Sequence, residues 1–116
     1  MTDAPRTGTD TPRTAPWVGN LSELTEFASD GIVSKTIVDE PPVKALIMAF
    51  APGQSLSEHT ASMPASIHIL QGHASVLLGD ERYDAPAGTY IYMPANLSHS
   101  VDAIDNMVFL LHLHKG

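Results

Sequence analysis

Two stretches decide the reading of this chain: GQSLSEHTASMPASIHILQG, residues 53–72, and GTYIYMPANLSHSVDA, residues 88–103. In the first, Gly53 and Gly72 bracket a segment that carries His59; in the second, Gly88, Pro94 and His99 follow one another in a similar cadence. Glycine supplies the positive φ that tight turns need, and proline presets φ while removing a ladder donor, so both stretches read as strand and turn rather than helix.

The same rhythm extends outward. β-Branched and apolar runs at 32–38, 43–50, 66–70, 74–78, 82–85, 89–93, 98–103 and 107–114 read as strands, separated by Gly, Pro, Asp and Asn. Short antiparallel strands in this number must bury one face against another. A jelly-roll barrel does so while leaving few open edges, so the expected fold class is all-β. The Gly-centred turn at Gln71, Gly72 and His73 is expected to join 66–70 and 74–78 as a hairpin. Ahead of the Asp30-Gly31 turn, Asn20 and Glu23 resemble a capping pair, and Leu21, Leu24 and Phe27 recur at helical spacing. A short helix and an extended entry strand both fit there. Residues 1–16, rich in Thr and Pro, read as a disordered tail that adds nothing to the fold, and 17–116 as one barrel domain.

Composition excludes several classes of function. Thirteen Asp and Glu face six Lys and Arg, and two of the bases, Arg6 and Arg13, lie in the tail. Such a surface repels phosphate backbones and anionic lipid, so neither nucleic acid nor membrane is an expected partner. With no cysteine there is no disulfide framework, thiolate nucleophile or Cys-type zinc site. The start lacks an apolar signal region and no run is long enough to span a bilayer, which leads to the expectation of a soluble, cytoplasmic protein.

The stretch 50–101 resembles a small single-domain cupin of the type-2 conserved-barrel kind. The first cupin motif, Gly-x5-His-x-His-x3-Glu-x6-Gly, is matched by Gly53, His59 and Gly72, with Ala61 and Ala65 in the places of the second His and the Glu. The second, Gly-x5-Pro-x-Gly-x2-His-x3-Asn, is matched by Gly88, Pro94 and His99, with Asn96 and Ala103 in the Gly and Asn places. The resemblance implies a cupin-type double-stranded β-helix, pairing as a homodimer, and a divalent metal (iron, nickel, copper or zinc) held inside the barrel by His59 and His99. Dioxygenases, isomerases and lyases share this architecture, so an enzyme and a metal-free small-ligand sensor both remain open. The apolar run 43–50, free of acidic residues, also reads as buried on both sides, as at a subunit contact.

Two neutral imidazoles are good donors to such metals, but a stable site usually takes a third protein ligand. Strict alternation puts Ala65, Ile67 and Ile69 on one side of their strand and His68 on the other, so His68 reaches the metal only if a bulge intervenes. His112 and His114 share one face of the last strand and could bridge a metal, against the fraying expected at a chain end. His73 reads as a solvated turn residue. Glu58, next to His59, should face away from it, and no acid/base pair or phosphate loop stands out.

Overall fold

The computed structural model describes residues 16–116. The expectation for the tail therefore lies outside the described residues, save for exposed Pro16. One short helix, α1 (Leu21–Leu24), precedes nine strands: β1 (Ile32–Glu40), β2 (Val43–Phe50), β3 (Ser55–His59), β4 (Ala65–Gln71), β5 (His73–Leu78), β6 (Glu81–Pro86), β7 (Tyr90–Met93), β8 (His99–Ala103) and β9 (Met107–His114). They form two antiparallel sheets, a five-stranded one in the order β1-β2-β9-β4-β7 and a four-stranded one in the order β3-β8-β5-β6. The all-β expectation holds, with eight of the nine strands falling on the runs named above.

Period-two alternation explains what each strand buries. Ala65, Ile67 and Ile69 of β4 point into the space between the sheets, where they meet Val76, Val101 and Phe109, while His68 on the opposite face is exposed. The Phe50 and Phe109 rings pack in this core 5.2 Å apart and tilted by 47°, within the separation at which aromatic pairs attract.

The outer face of the five-stranded sheet carries a second core. Ile37, Ala45, Ile47, Ala49 and Val108 are buried there beneath Trp17, Leu21, Leu24 and Phe27. Helix α1 supplies Leu21 and Leu24 to this cover, and its start is the cap foreseen at Asn20: that side chain accepts a hydrogen bond from the Ser22 backbone N–H at 2.9 Å. Both faces of β2 are therefore covered by the chain itself, and the double burial of 43–50 requires no second copy.

One local expectation is overturned. β4 and β5 do not form a hairpin, because β4 pairs with β7 and β9 while β5 pairs with β6 and β8 in the other sheet. Gly72, at φ +79°, carries the chain across from one sheet to the other. The crossing is packed directly on the loop 104–106: a Cβ at Gly72 would stand 2.1 Å from the Asn106 carbonyl oxygen, and the His73 N–H donates to Asp105 Oδ1 at 2.8 Å. The hairpin turn belongs instead to Gly79-Asp80, between Leu78 and its partner Glu81.

Two glycines at nearly the same φ separate strain from crowding. Gly53 has φ +81° with nothing within 4 Å of an added Cβ, so Gly53→Ala should lose only the left-handed strain, about 1–2 kcal/mol. Gly72→Ala adds a backbone clash and should be clearly the more destabilised of the two in urea unfolding. Equal losses would show that the crossing can relax.

Candidate functional site

A break in alternation turns His59 toward the mouth of the barrel, where it lines the pocket while remaining exposed to solvent. Leu56 faces inward, and strict period two would turn His59 outward, because three steps separate them. Between these residues the β3–β8 ladder shifts register: Leu56 pairs with Val101, yet His59 pairs directly with His99. Such a bulge re-aims a side chain. His59 and Leu56 consequently line the same pocket. The run 55–59 is not among the strands read from the sequence, because the bulge interrupts its alternation, although the expectation that Glu58 faces away from His59 already treats the segment as strand-like.

His99 needs no such device. On β8 it alternates with Val101 and Ala103 on the inner face and is only 7 % exposed. The two imidazoles lie edge to face with ring centres 4.2 Å apart. His59 Nδ1 lies 2.8 Å from the Ser57 carbonyl oxygen, and His99 Nδ1 lies 2.9 Å from that of Leu97. A carbonyl only accepts, so each Nδ1 carries the proton and donates it, which leaves both Nε2 atoms with free lone pairs in the neutral rings.

The loops around the pair are fixed by backbone bonds. The Asn96 N–H donates to the Ala61 carbonyl at 2.7 Å, tying the β7–β8 turn to the β3–β4 loop. Asn96 occupies the glycine place of the second motif and takes the glycine conformation, φ 69°, which asparagine tolerates better than most side chains. The remaining pocket wall is apolar: Leu56, Ala61, Met63, Ala65, Met93 and Leu97 are among its lining, with Leu111 and Leu113 behind. Its cavity volume is about 60 Å³, several times what one water needs.

The other candidates lie elsewhere. Glu58 faces away from the pocket, as expected, and accepts a hydrogen bond from the Ser98 hydroxyl at 2.6 Å. His68 remains on the outer face beside Tyr90, ring centres 6.5 Å apart, so no bulge turns it toward the pair. His112 and His114 occupy the same outer face, stacked with centres 6.5 Å apart, and His114 Nε2 is 2.9 Å from the hydroxyl of buried Ser66. His73 is not merely solvated, since its Nε2 is paired with Asp84. Tyr90 and Tyr92 point outward and Ile91 and Met93 inward, a choice the sequence pattern left open.

The implied divalent metal can be tested against these donors. The tethered Nδ1–H groups fit the pair for metal binding, since they aim each ring and fix its tautomer. The rest of a four-ligand set does not fit. Among the described residues no group of three or more His, Cys, Asp or Glu could hold a metal ion, and no carboxylate lines the pocket to offset the charge of a divalent ion.

Burial first, and the charge of His114 second, hold the pKa of His112 below its ordinary 6.5. The unfolded chain then takes up this proton at higher pH than the folded one, so the contribution to stability is present above 6.5 and is lost as pH falls toward the lowered folded-state value. His112→Gln should flatten the fall of the urea midpoint between about pH 7 and about pH 5. An unchanged acid slope would contradict it.

Comparison with known proteins agrees with the architecture. The family model of the Cupin domain matches residues 46–113. A conserved protein of unknown function from Streptococcus pyogenes superposes with a TM-score of 0.80 at 23% identity, covering 95% of this chain and 98% of that one. A cupin superfamily protein from Desulfitobacterium hafniense gives 0.80 at 20% identity, covering 100% and 99%. A cupin 2 conserved barrel domain protein from Leptotrichia buccalis is 34% identical with a TM-score of 0.78, over 84% of this chain and 47% of that one. No curated protein matches the chain. No helix among the described residues is long and apolar enough to cross a membrane. With two antiparallel sheets that bring His59 opposite His99, and with the family model matched over more than half of the chain, the chain belongs to the cupin family.

Proposed function

We propose that this barrel binds a small molecule in the pocket between its sheets, through a metal ion held by the Nε2 atoms of His59 and His99. The observation that supports this most directly is the pair of Nδ1–H tethers, which leave two lone pairs on the wall of one small apolar pocket. Ring centres 4.2 Å apart leave the two imidazoles close enough for one ion to meet both. A metal ion held there supplies Lewis-acid polarisation of a bound oxygen or nitrogen group. The chain's own part is to orient the imidazoles, wall the pocket with Leu56, Leu97 and Leu111, and leave room over Ala61 and Ala65 for the ligand.

A second reading has its own support. Without a third ligand, the imidazoles could accept hydrogen bonds from donor groups of a metal-free ligand, making the protein a sensor or carrier module. The resemblance also carries a homodimer into the proposal, which sedimentation at micromolar concentration tests independently of the site.

Elemental analysis of untagged protein loaded in turn with iron, nickel, copper and zinc separates the two readings. The metal reading expects one equivalent retained by the wild type, lost in His59→Ala and in His99→Ala, and kept in His68→Ala. Retention unaffected by both pocket substitutions would contradict it, and no retention of any of the four metals would leave the metal-free binder.

A further inference from the structure

The two ligand positions taken by alanine each have a methionine beside them. Met63 follows Ala61 by two positions on the β3–β4 loop, and Met93 of β7 is the direct cross-strand partner of Ala65. Directly opposed residues of an antiparallel pair have Cβ atoms about 4.5–5.5 Å apart. Both methionines line the same pocket as His59 and His99. Met93 is 2 % exposed and held in the inner core, so its side chain is withdrawn from solvent.

Resting on the metal reading above, we propose that the ion is monovalent copper, and that Met63 and Met93 complete the His59–His99 pair through their thioether sulfurs. The donor set decides the ion. Two neutral imidazoles and two thioethers bring no negative charge, and the lining holds no Asp or Glu. A divalent ion would find no side-chain counter-charge in this lining, and the deeper it sits beside buried His99 and Met93 the more that costs. A monovalent ion carries half the charge. Thioether sulfur is a soft donor that selects Cu(I), while imidazole binds copper as readily as it binds zinc or nickel. Replacement of the harder ligand positions by alanine, each with a thioether alongside, therefore changes which metal is taken rather than abolishing the site.

The alternative role for the methionines is packing alone. Met is unbranched and fills irregular gaps, and leucine replaces it at nearly constant volume. The variant Met63→Leu/Met93→Leu thus removes both sulfurs while sparing the core, and thermal melts followed by circular dichroism confirm that it folds.

The test titrates apo protein anaerobically with Cu(I), kept reduced by ascorbate, against a chromogenic Cu(I) chelator. Zn(II) is titrated in parallel, and the copper-loaded protein is examined by X-ray absorption. Wild type should bind one Cu(I) with sulfur in the copper coordination shell. The double leucine variant should bind Cu(I) about tenfold or more weakly, by comparison with what loss of a supporting group costs at metal sites, with its sulfur scattering gone and its Zn(II) affinity little changed. Unchanged Cu(I) affinity and no sulfur scattering, with binding still abolished by His59→Ala, would overturn the thioether assignment and leave the two-histidine metal site standing. Absence of any metal binding to the wild type would bring down that reading and this one together.

Discussion

The inner faces of two sheets, buried against each other, constrain nearly every side chain in this barrel, and the register slip between Leu56 and His59 is where that constraint yields a site. Burial of Ile67, Ile69, Val76, Val101 and Phe109 leaves no freedom to shift a strand by one residue, because a shift would bring polar neighbours such as His68 and Asp102 into the core. β3 is the short strand at the edge of its sheet, where one extra residue can be absorbed without disturbing the rest. The bulge there sets His59 opposite His99. The rigid lattice of apolar contacts behind them then fixes the separation of the two rings.

What the pocket can do follows from this arrangement. Its polar side-chain atoms are concentrated in two imidazoles whose Nδ1 atoms are committed to backbone carbonyls, so the chemistry available to a guest is narrow: two lone pairs beside an apolar surround, open to solvent on the His59 side. Such a surround strengthens any attraction made inside it and penalises any charge left unpaired. The alanines at 61 and 65 contribute space, and the methionines beside them contribute polarisable sulfur. A site made of these parts carries no negative charge, unlike one in which a carboxylate stood at position 65.

Much of the fold was legible in the sequence because it rests on local signals. Runs such as 43–50 and 107–114 are apolar and β-branched and end at Pro, Gly or Asn, which the pleated ladder cannot accommodate. The motif spacing placed His59 and His99 in one barrel before any contact was known. The illegible parts depend on tertiary context. Strand β3 was hidden by its own bulge, and the turn at Gly72 resembles a hairpin turn until the loop 104–106 packs on it. Helix and strand were equally plausible at 21–24 until Trp17, Leu21 and Leu24 found the outer face of the five-stranded sheet. That covering also explains why 43–50 is apolar on both sides, which the sequence alone suggested was a subunit contact.

The central claim is that His59 and His99 present two unprotonated Nε2 atoms to one pocket, and long-range ¹H–¹⁵N correlation of the histidine rings tests it most directly. Both residues should show the Nδ1–H tautomer at neutral pH, with the Nε2 resonances of these two alone moving when Cu(I) or Zn(II) is added. Nε2–H tautomers for either residue, or metal-induced shifts confined to His68, His112 and His114, would contradict it.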